Sequence, residues 1–177
     1  MARAKATIVR FDEAVDTRVD ELRGHRTLDR VMYAASELGD WSLVWHMLAS
    51  GQGLLPGRDP MSAVRHSAVL GVESFLVNGV VKSMFRRHRP VWESERPRPH
   101  RLRVPRSSSF PSGHASSAFT AAGALSKGDP LWPLYYGVAA VVASSRVYVK
   151  IHHASDVLAG AAFGVVLGAA ARRLLAR

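Results

Sequence analysis

The apolar residues of this chain gather into separate blocks, and every break between blocks is basic or rich in proline and glycine. The blocks occupy residues 41–55, 62–85, 112–125, 131–145 and 157–171. None of them sustains the apolar–polar alternation of a half-buried strand, so the pattern predicts an all-α fold. The uninterrupted runs fall short of the ~20 residues that cross a bilayer. Flanking amphipathic residues bring several of them to that length. The stretch Ala159-Gly160-Ala161-Ala162-Phe163-Gly164 suits close helix packing in lipid, and Trp41, Trp92, Trp132, Tyr135, Tyr136 and Tyr148 sit near block ends, as interface anchors do. The expectation is a compact helical bundle in the cell membrane, multi-pass with about five spans. A soluble helical bundle is the alternative.

Ahead of the blocks, residues 8–22 place Phe11, Val15, Val19 and Leu22 on one helical stripe, with Asp12, Glu13, Asp16, Arg18, Asp20 and Glu21 elsewhere. This is an amphipathic helix, fit to lie in a membrane interface or to pack on the domain. Thr27 is a candidate cap for a second helix that runs to about Leu38 and stops at Gly39. The first 40 residues therefore read as amphipathic N-terminal helices on a single domain covering 1–177, a length that holds one core and not two. Residues 86–110 carry Pro90, Pro97, Pro99 and Pro105 among many arginines and read as a loop of functional length.

Charge narrows the partners. There are 24 Lys and Arg against 14 Asp and Glu, a net +10, which favours an anionic partner such as phosphate, anionic lipid or nucleic acid. Aromatics are not interleaved with the basic residues of 86–110, which argues against nucleic acid. Cysteine is absent, so thiolate chemistry and disulfides are excluded. The N-terminus lacks the apolar core and small-residue cleavage site of a signal peptide.

Three stretches carry chemistry. In Ser145-Arg146-Val147-Tyr148-Val149-Lys150-Ile151-His152-His153-Ala154-Ser155-Asp156, a guanidinium, an imidazole and a carboxylate stand at the mouth of an apolar run. Arg146 can hold an oxyanion in a planar fork, and His152 is a nitrogen nucleophile or base. On a helical path Asp156 shares a face with His152 and can hold its other nitrogen. A juxtamembrane basic cluster with a solvated salt bridge is the plain alternative. Lys82-Ser83-Met84-Phe85-Arg86-Arg87-His88-Arg89-Pro90 ends one apolar block, and Pro111-Ser112-Gly113-His114 opens another. There Ser112 is a good cap, Gly113 admits close backbone approach, and the first-turn N–H groups form an anion site.

Taken in order, Lys82-x6-Arg89-Pro90, then Pro111-Ser112-Gly113-His114, then Ser145-Arg146-x5-His152-x3-Asp156 resembles the three signature motifs of the type-2 phosphatidic acid phosphatase superfamily, with no motif position substituted. The motifs span 82–156. The resemblance implies His152 as the nucleophile that takes the phosphoryl group, Asp156 as its orienter, and His114 as the acid and then the base. It implies Lys82, Arg89, Arg146 and the backbone at Ser112 and Gly113 as the phosphate cradle, with protein cations in place of a metal and no cofactor. His153 has no motif position.

The implied activity is hydrolysis of a lipid or polyprenyl phosphate at the membrane. Phosphatidic acid, polyprenyl diphosphate and decaprenyl-phosphoribose-phosphate are all candidate substrates. The same motifs serve soluble acid phosphatases and vanadium haloperoxidases, and a basic non-enzymatic membrane adaptor is the remaining class. The excess of Lys and Arg on the motif-bearing side predicts a cytoplasmic catalytic face.

Overall fold

The computed structural model describes residues 2–57, 59–92 and 104–174, and the regular elements among them are all helical. Two N-terminal helices, α1 (Ala2–Asp20) and α2 (Arg26–Leu38), are followed by a 3-10 turn at Asp40–Ser42 and by α3 (Leu43–Gly53). Helix α4 (Met61–Ser74) continues without a break into a π turn at Phe75–Val81 and a 3-10 turn at Lys82–Met84. Then come α5 (Gly113–Leu125), α6 (Trp132–Tyr148) and α7 (Ala154–Leu174).

Helix α5 is the axis of the bundle because almost nothing on it is large. Its sequence is built from Gly, Ala, Ser and Thr with one His, one Phe and one Leu, and nearly all of it is buried. Neighbouring helices therefore approach its backbone directly. On α7, Gly160, Gly164 and Gly168 recur every four residues on one face, and that face lies on α5. A Cβ built on Gly160 would come within 2.3 Å of the Ser112 carbonyl oxygen, and one on Gly164 within 2.4 Å of the Ser116 carbonyl oxygen. Neither neighbour is a side chain that could swing away. A hydrogen bond from Thr120 Oγ1 to the Gly164 carbonyl oxygen, at 3.3 Å, crosses the same seam.

Large apolar side chains point the other way. Leu43 and Met47 on α3, Val64 and Val72 on α4, Leu134 on α6, and Leu158 and Val166 on α7 are all exposed. Although Trp45, Leu70, Leu125 and Tyr135 are buried, the small residues of the α5–α7 seam and this outward apolar belt suit a lipid surround. Among the described residues α7 alone is long and apolar enough to cross a membrane by itself.

The two N-terminal helices clasp the end of the bundle where α4 finishes and α5 begins. Arg23, just beyond α1, donates to the Tyr148 and Val147 carbonyls at 2.8 and 3.0 Å, so a cation caps the C-terminus of α6. The Tyr148 hydroxyl reaches Asp29 Oδ1 at 2.5 Å and the Leu22 carbonyl at 3.1 Å.

Several expectations change at this level. Helix α1 begins at Ala2, and its inward face carries Asp12 while Phe11 and Leu22 stay exposed. Hydropathy alone put Asp12 outside; it is buried because donors from the catalytic end meet it there. Thr27 is not the cap of α2. The helix starts at Arg26, and Asp29 accepts from the Gly24 N–H at 3.2 Å ahead of it. Tyr135 and Tyr148 are buried, their hydroxyls bonded to Asp129 and Asp29, whereas Trp41 and Trp132 are exposed as anchors would be. Residues 93–103, the middle of the expected loop, lie outside the described residues.

The α5–α7 seam generates a paired expectation. Gly160→Ala should force the helices apart, lowering Tm by several degrees and activity by at least about tenfold. Gly137→Ala on α6 meets nothing within 4 Å and should be neutral or stabilising by about 0.5–1 kcal/mol through helix propensity. Thermal unfolding in detergent reads both.

Candidate active site

Four chain segments converge at one end of the bundle, and each is aimed by a local device. The π turn of α4 brings Asn78 against Gly113, where a Cβ would lie 2.5 Å from Asn78 Oδ1. Lys82, which follows that turn, is buried. Ser112 caps α5, accepting from the Ala115 N–H at 3.4 Å, so the free N–H groups of the first turn face the same space. The Ser112 N–H donates to the Asp156 carbonyl at 2.9 Å and ties the start of α5 to the start of α7.

The spacing of His152 and Asp156 is not helical, contrary to expectation. Helix α6 stops at Tyr148, Lys150 takes a left-handed φ of 52°, and the His152 N–H returns to the Arg146 carbonyl at 3.1 Å. The Lys150 Nζ is paired with Asp16 Oδ2 at 3.2 Å, which ties this turn to α1. Asp156 then stands in the first turn of α7 with Oδ2 at 3.7 Å from His152 Nδ1. That is an ion-pair distance longer than a hydrogen bond, and Nδ1 has no hydrogen-bond partner among the described residues.

The other ring nitrogen is informative. Arg89 Nη1 lies 3.2 Å from His152 Nε2. A guanidinium only donates, so Nε2 offers its lone pair and the ring proton belongs on Nδ1, facing Asp156. Burial, with Arg89, Arg146 and Lys82 adding to it and Asp156 opposing, pushes the imidazole down to about 3. His152 is thus a neutral base with its free electron pair turned into the cationic cradle.

Three cations shape that cradle. Arg146 is held by Ser36 of α2, through its hydroxyl and, at 3.4 Å, through its carbonyl, and its Nε has no partner among the described residues. Arg89 is fixed by backbone carbonyls of Ile151 at 2.9 Å and Pro105 at 3.0 Å. Lys82 lies within Coulombic reach of both. A cavity of about 510 Å³ brings Lys82, Arg146, Gly113, His114 and His152 together. His153 is turned elsewhere: its N–H donates to Asp156 Oδ2 at 2.9 Å and its ring meets the His88 carbonyl at 3.3 Å. A buried imidazole with a free lone pair, a second histidine and a convergent set of donors are the kinds of groups that phosphoryl transfer uses.

Three polar residues at this site were not foreseen. Arg87 donates from Nη1 to Asp156 Oδ1 at 2.6 Å and from Nη2 to Asp12 Oδ2 at 2.5 Å. Asp12 also accepts from the Ser155 N–H and hydroxyl, both at 2.8 Å. Asp40 holds His114, with Oδ1 at 2.9 Å from Nε2. Arg87 was in view, inside the six-residue spacer between Lys82 and Arg89, but spacing gives it no role. Asp12 and Asp40 carry no local signal, since their partners lie far along the chain. Gly39 is required beside them, for a Cβ there would stand 2.7 Å from His114 Cδ2.

Removing these supports should cost turnover more than binding. Arg87→Ala and Asp40→Asn should each lower kcat about 10- to 100-fold, the worth of a charge-assisted hydrogen bond, with KM nearly unchanged. Arg87→Lys should not rescue, because one ammonium cannot span both carboxylates as a guanidinium does. Steady-state kinetics on the purified variants reads these effects.

Comparison with known proteins agrees with this geometry. The PAP2 superfamily matches residues 63–177. Decaprenylphosphoryl-5-phosphoribose phosphatase of Mycobacterium tuberculosis is 32% identical over 138 residues, covering 76% of this chain and 73% of that protein, in strain H37Rv and in strain CDC 1551 alike. The crystal structure of a transmembrane PAP2-type phosphatidylglycerolphosphate phosphatase from Bacillus subtilis superposes with a TM-score of 0.73 at 24% identity, covering 96% of this chain and 87% of that one. The fold is shared with a membrane enzyme, and five of the motif residues, Lys82, Gly113, His114, Arg146 and His152, line one cavity. The chain belongs to the PAP2 superfamily and is a phosphatase.

Proposed function

We propose that this chain is a multi-pass membrane phosphatase that removes the terminal phosphate from a polyprenyl-linked phosphosugar through a phosphohistidine on His152. The observation that carries the reading is the direction of the His152 Nε2 lone pair, which points toward Arg89 at a cavity lined by Lys82, Arg146 and His114. The similarity to a phosphatase named for decaprenylphosphoryl-5-phosphoribose supports the substrate class. The exposed apolar belt on α3, α4, α6 and α7 supports residence in the bilayer.

The chemistry follows from the placement. The phosphate of the substrate draws Arg89 off His152 and takes its negative charge to Lys82, Arg89, Arg146 and the N-terminus of α5. His152 Nε2 attacks phosphorus as the bond to the leaving alkoxide breaks, and His114 gives that oxygen its proton. The imidazole gains positive character, and Asp156 closes on Nδ1–H to stabilise it. In the second half, His114 accepts a proton from water, the water oxygen bonds to phosphorus, and the N–P bond breaks to restore His152. Asp40 keeps His114 aimed through both halves.

His152→Ala should lose at least about 10⁴-fold in kcat, since no other group reaches phosphorus. His153→Ala should lose less than about tenfold, and Asp156→Asn should fall between the two. A dead His153→Ala beside an active His152→Ala would reassign the nucleophile. Because three protein cations neutralise the phosphate, exhaustive chelation should leave turnover intact, and activity restored only by Mg²⁺ would contradict the cradle.

A further inference from the structure

Beyond the phosphate cradle the same cavity continues between α3, α4 and α5, and its walls there are unexpectedly polar for the interior of a membrane bundle. Glu73 of α4 is 2% exposed and lines this chamber, yet neither carboxylate oxygen has a hydrogen-bond partner among the described residues. Its polar neighbours are the Ser116 hydroxyl, which is itself unpartnered, and the Lys82 ammonium. Further along, His46 Nδ1 and Ser67 Oγ meet at 2.9 Å across α3 and α4, and Ser74 Oγ accepts from Asn78 at 3.2 Å. All four of those residues line the cavity too.

A buried carboxyl with no hydrogen-bond partner costs several kcal/mol unless it is held neutral or a polar group arrives to meet it. A ligand group entering the cavity can be that polar group. Phosphate does not fit the need, because Glu73 would repel it. A hydrocarbon tail offers no donor. A hydroxyl does, and a row of acceptors and hydroxyls one residue deep beyond the cradle matches a ring carrying several of them. The volume agrees: about 510 Å³ is far more than phosphate fills, given that a water takes roughly 30 Å³ of liquid.

We propose that this chamber is a sugar subsite, in which Glu73 accepts a hydrogen bond from a hydroxyl of the substrate's leaving group and so selects phosphosugars over hydroxyl-free lipid phosphates. The inference rests on the phosphatase reading above and deepens it. Glu73 is a specificity residue: it does not touch phosphorus, and the phosphate cradle works without it. A site built around a substrate hydroxyl discriminates strongly against the analogue lacking it, because its own polar group is then left unpaired.

The test compares two substrates of equal length, a short-chain polyprenyl-phosphoryl-5-phosphoribose and its counterpart with a hydroxyl-free pentanediyl linker in place of the ring. Wild type should prefer the ribosyl substrate in kcat/KM by about 10- to 100-fold. Glu73→Leu should erase that preference by losing the ribosyl activity while the linker substrate stays within about threefold. Glu73→Gln, which keeps an acceptor, should retain part of it. Equal rates for both substrates in wild type would overturn the inference, and this measurement needs no variant to fold. An equal loss on both substrates in Glu73→Leu, with vanadate inhibition weakened in parallel, would overturn it as well by making Glu73 a counter-ion of Lys82. Failure of the phosphatase reading looks different: wild type would then release phosphate from neither substrate.

Discussion

Everything at the catalytic end depends on how closely α7 can lie on α5. His114 stands in the first turn of α5 and His152 in the turn that leads into α7, so the two histidines come together only when these helices do. Gly160, Gly164 and Gly168 let the backbones touch, and the hydrogen bond from Ser112 N–H to the Asp156 carbonyl sets the register at the top of the seam. That single bond links the residue that caps α5 to the carboxylate-bearing residue that faces His152. The small residues of α5 therefore serve packing and chemistry at once. They admit close neighbours, and they leave the large apolar side chains to face outward.

Around that seam the protein holds each reactive histidine with a carboxylate from a different place. Asp156, on α7, faces His152, and Asp40, from the turn after α2, holds His114. The carboxylate of Asp156 is itself held, by Arg87, which is braced in turn by Asp12 of α1. Helix α2 contributes again through Ser36, which steadies Arg146. The N-terminal helices precede the residues that match the family, yet they supply the outer supports of the site. Such supports matter because misplacing a reacting group by an ångström is enough to forfeit much of the rate.

The readable and unreadable parts of this molecule differ for physical reasons. The all-helical class followed from the absence of strand alternation. The Gly160–Gly164 contact followed from small residues at four-residue spacing. Ser112 was legible as a cap because capping is local. Asp12, Asp40 and Arg87 were not, since each owes its place to partners distant in sequence, and a charged residue on an amphipathic helix looks solvated until its partner is known. The path from His152 to Asp156 reads as helical, whereas a left-handed Lys150, which leaves no mark in a sequence, turns the chain between α6 and α7. Glu73 lies inside the apolar block 62–85 with no motif around it, and its want of a hydrogen-bond partner is a fact of three dimensions.

Electrostatics gives the site its direction. Burial and three surrounding cations keep His152 neutral, and a neutral imidazole with a free Nε2 is the form that attacks phosphorus. The most direct measurement is therefore to trap the intermediate: ³²P-labelled substrate, quenched in base within a turnover, followed by peptide mapping. Label should appear as acid-labile phosphohistidine on the peptide carrying Arg146 to Asp156, assigned by fragmentation to His152, and should vanish in His152→Ala. Label on His153, or none on the protein while phosphate is released, would contradict a covalent mechanism at His152.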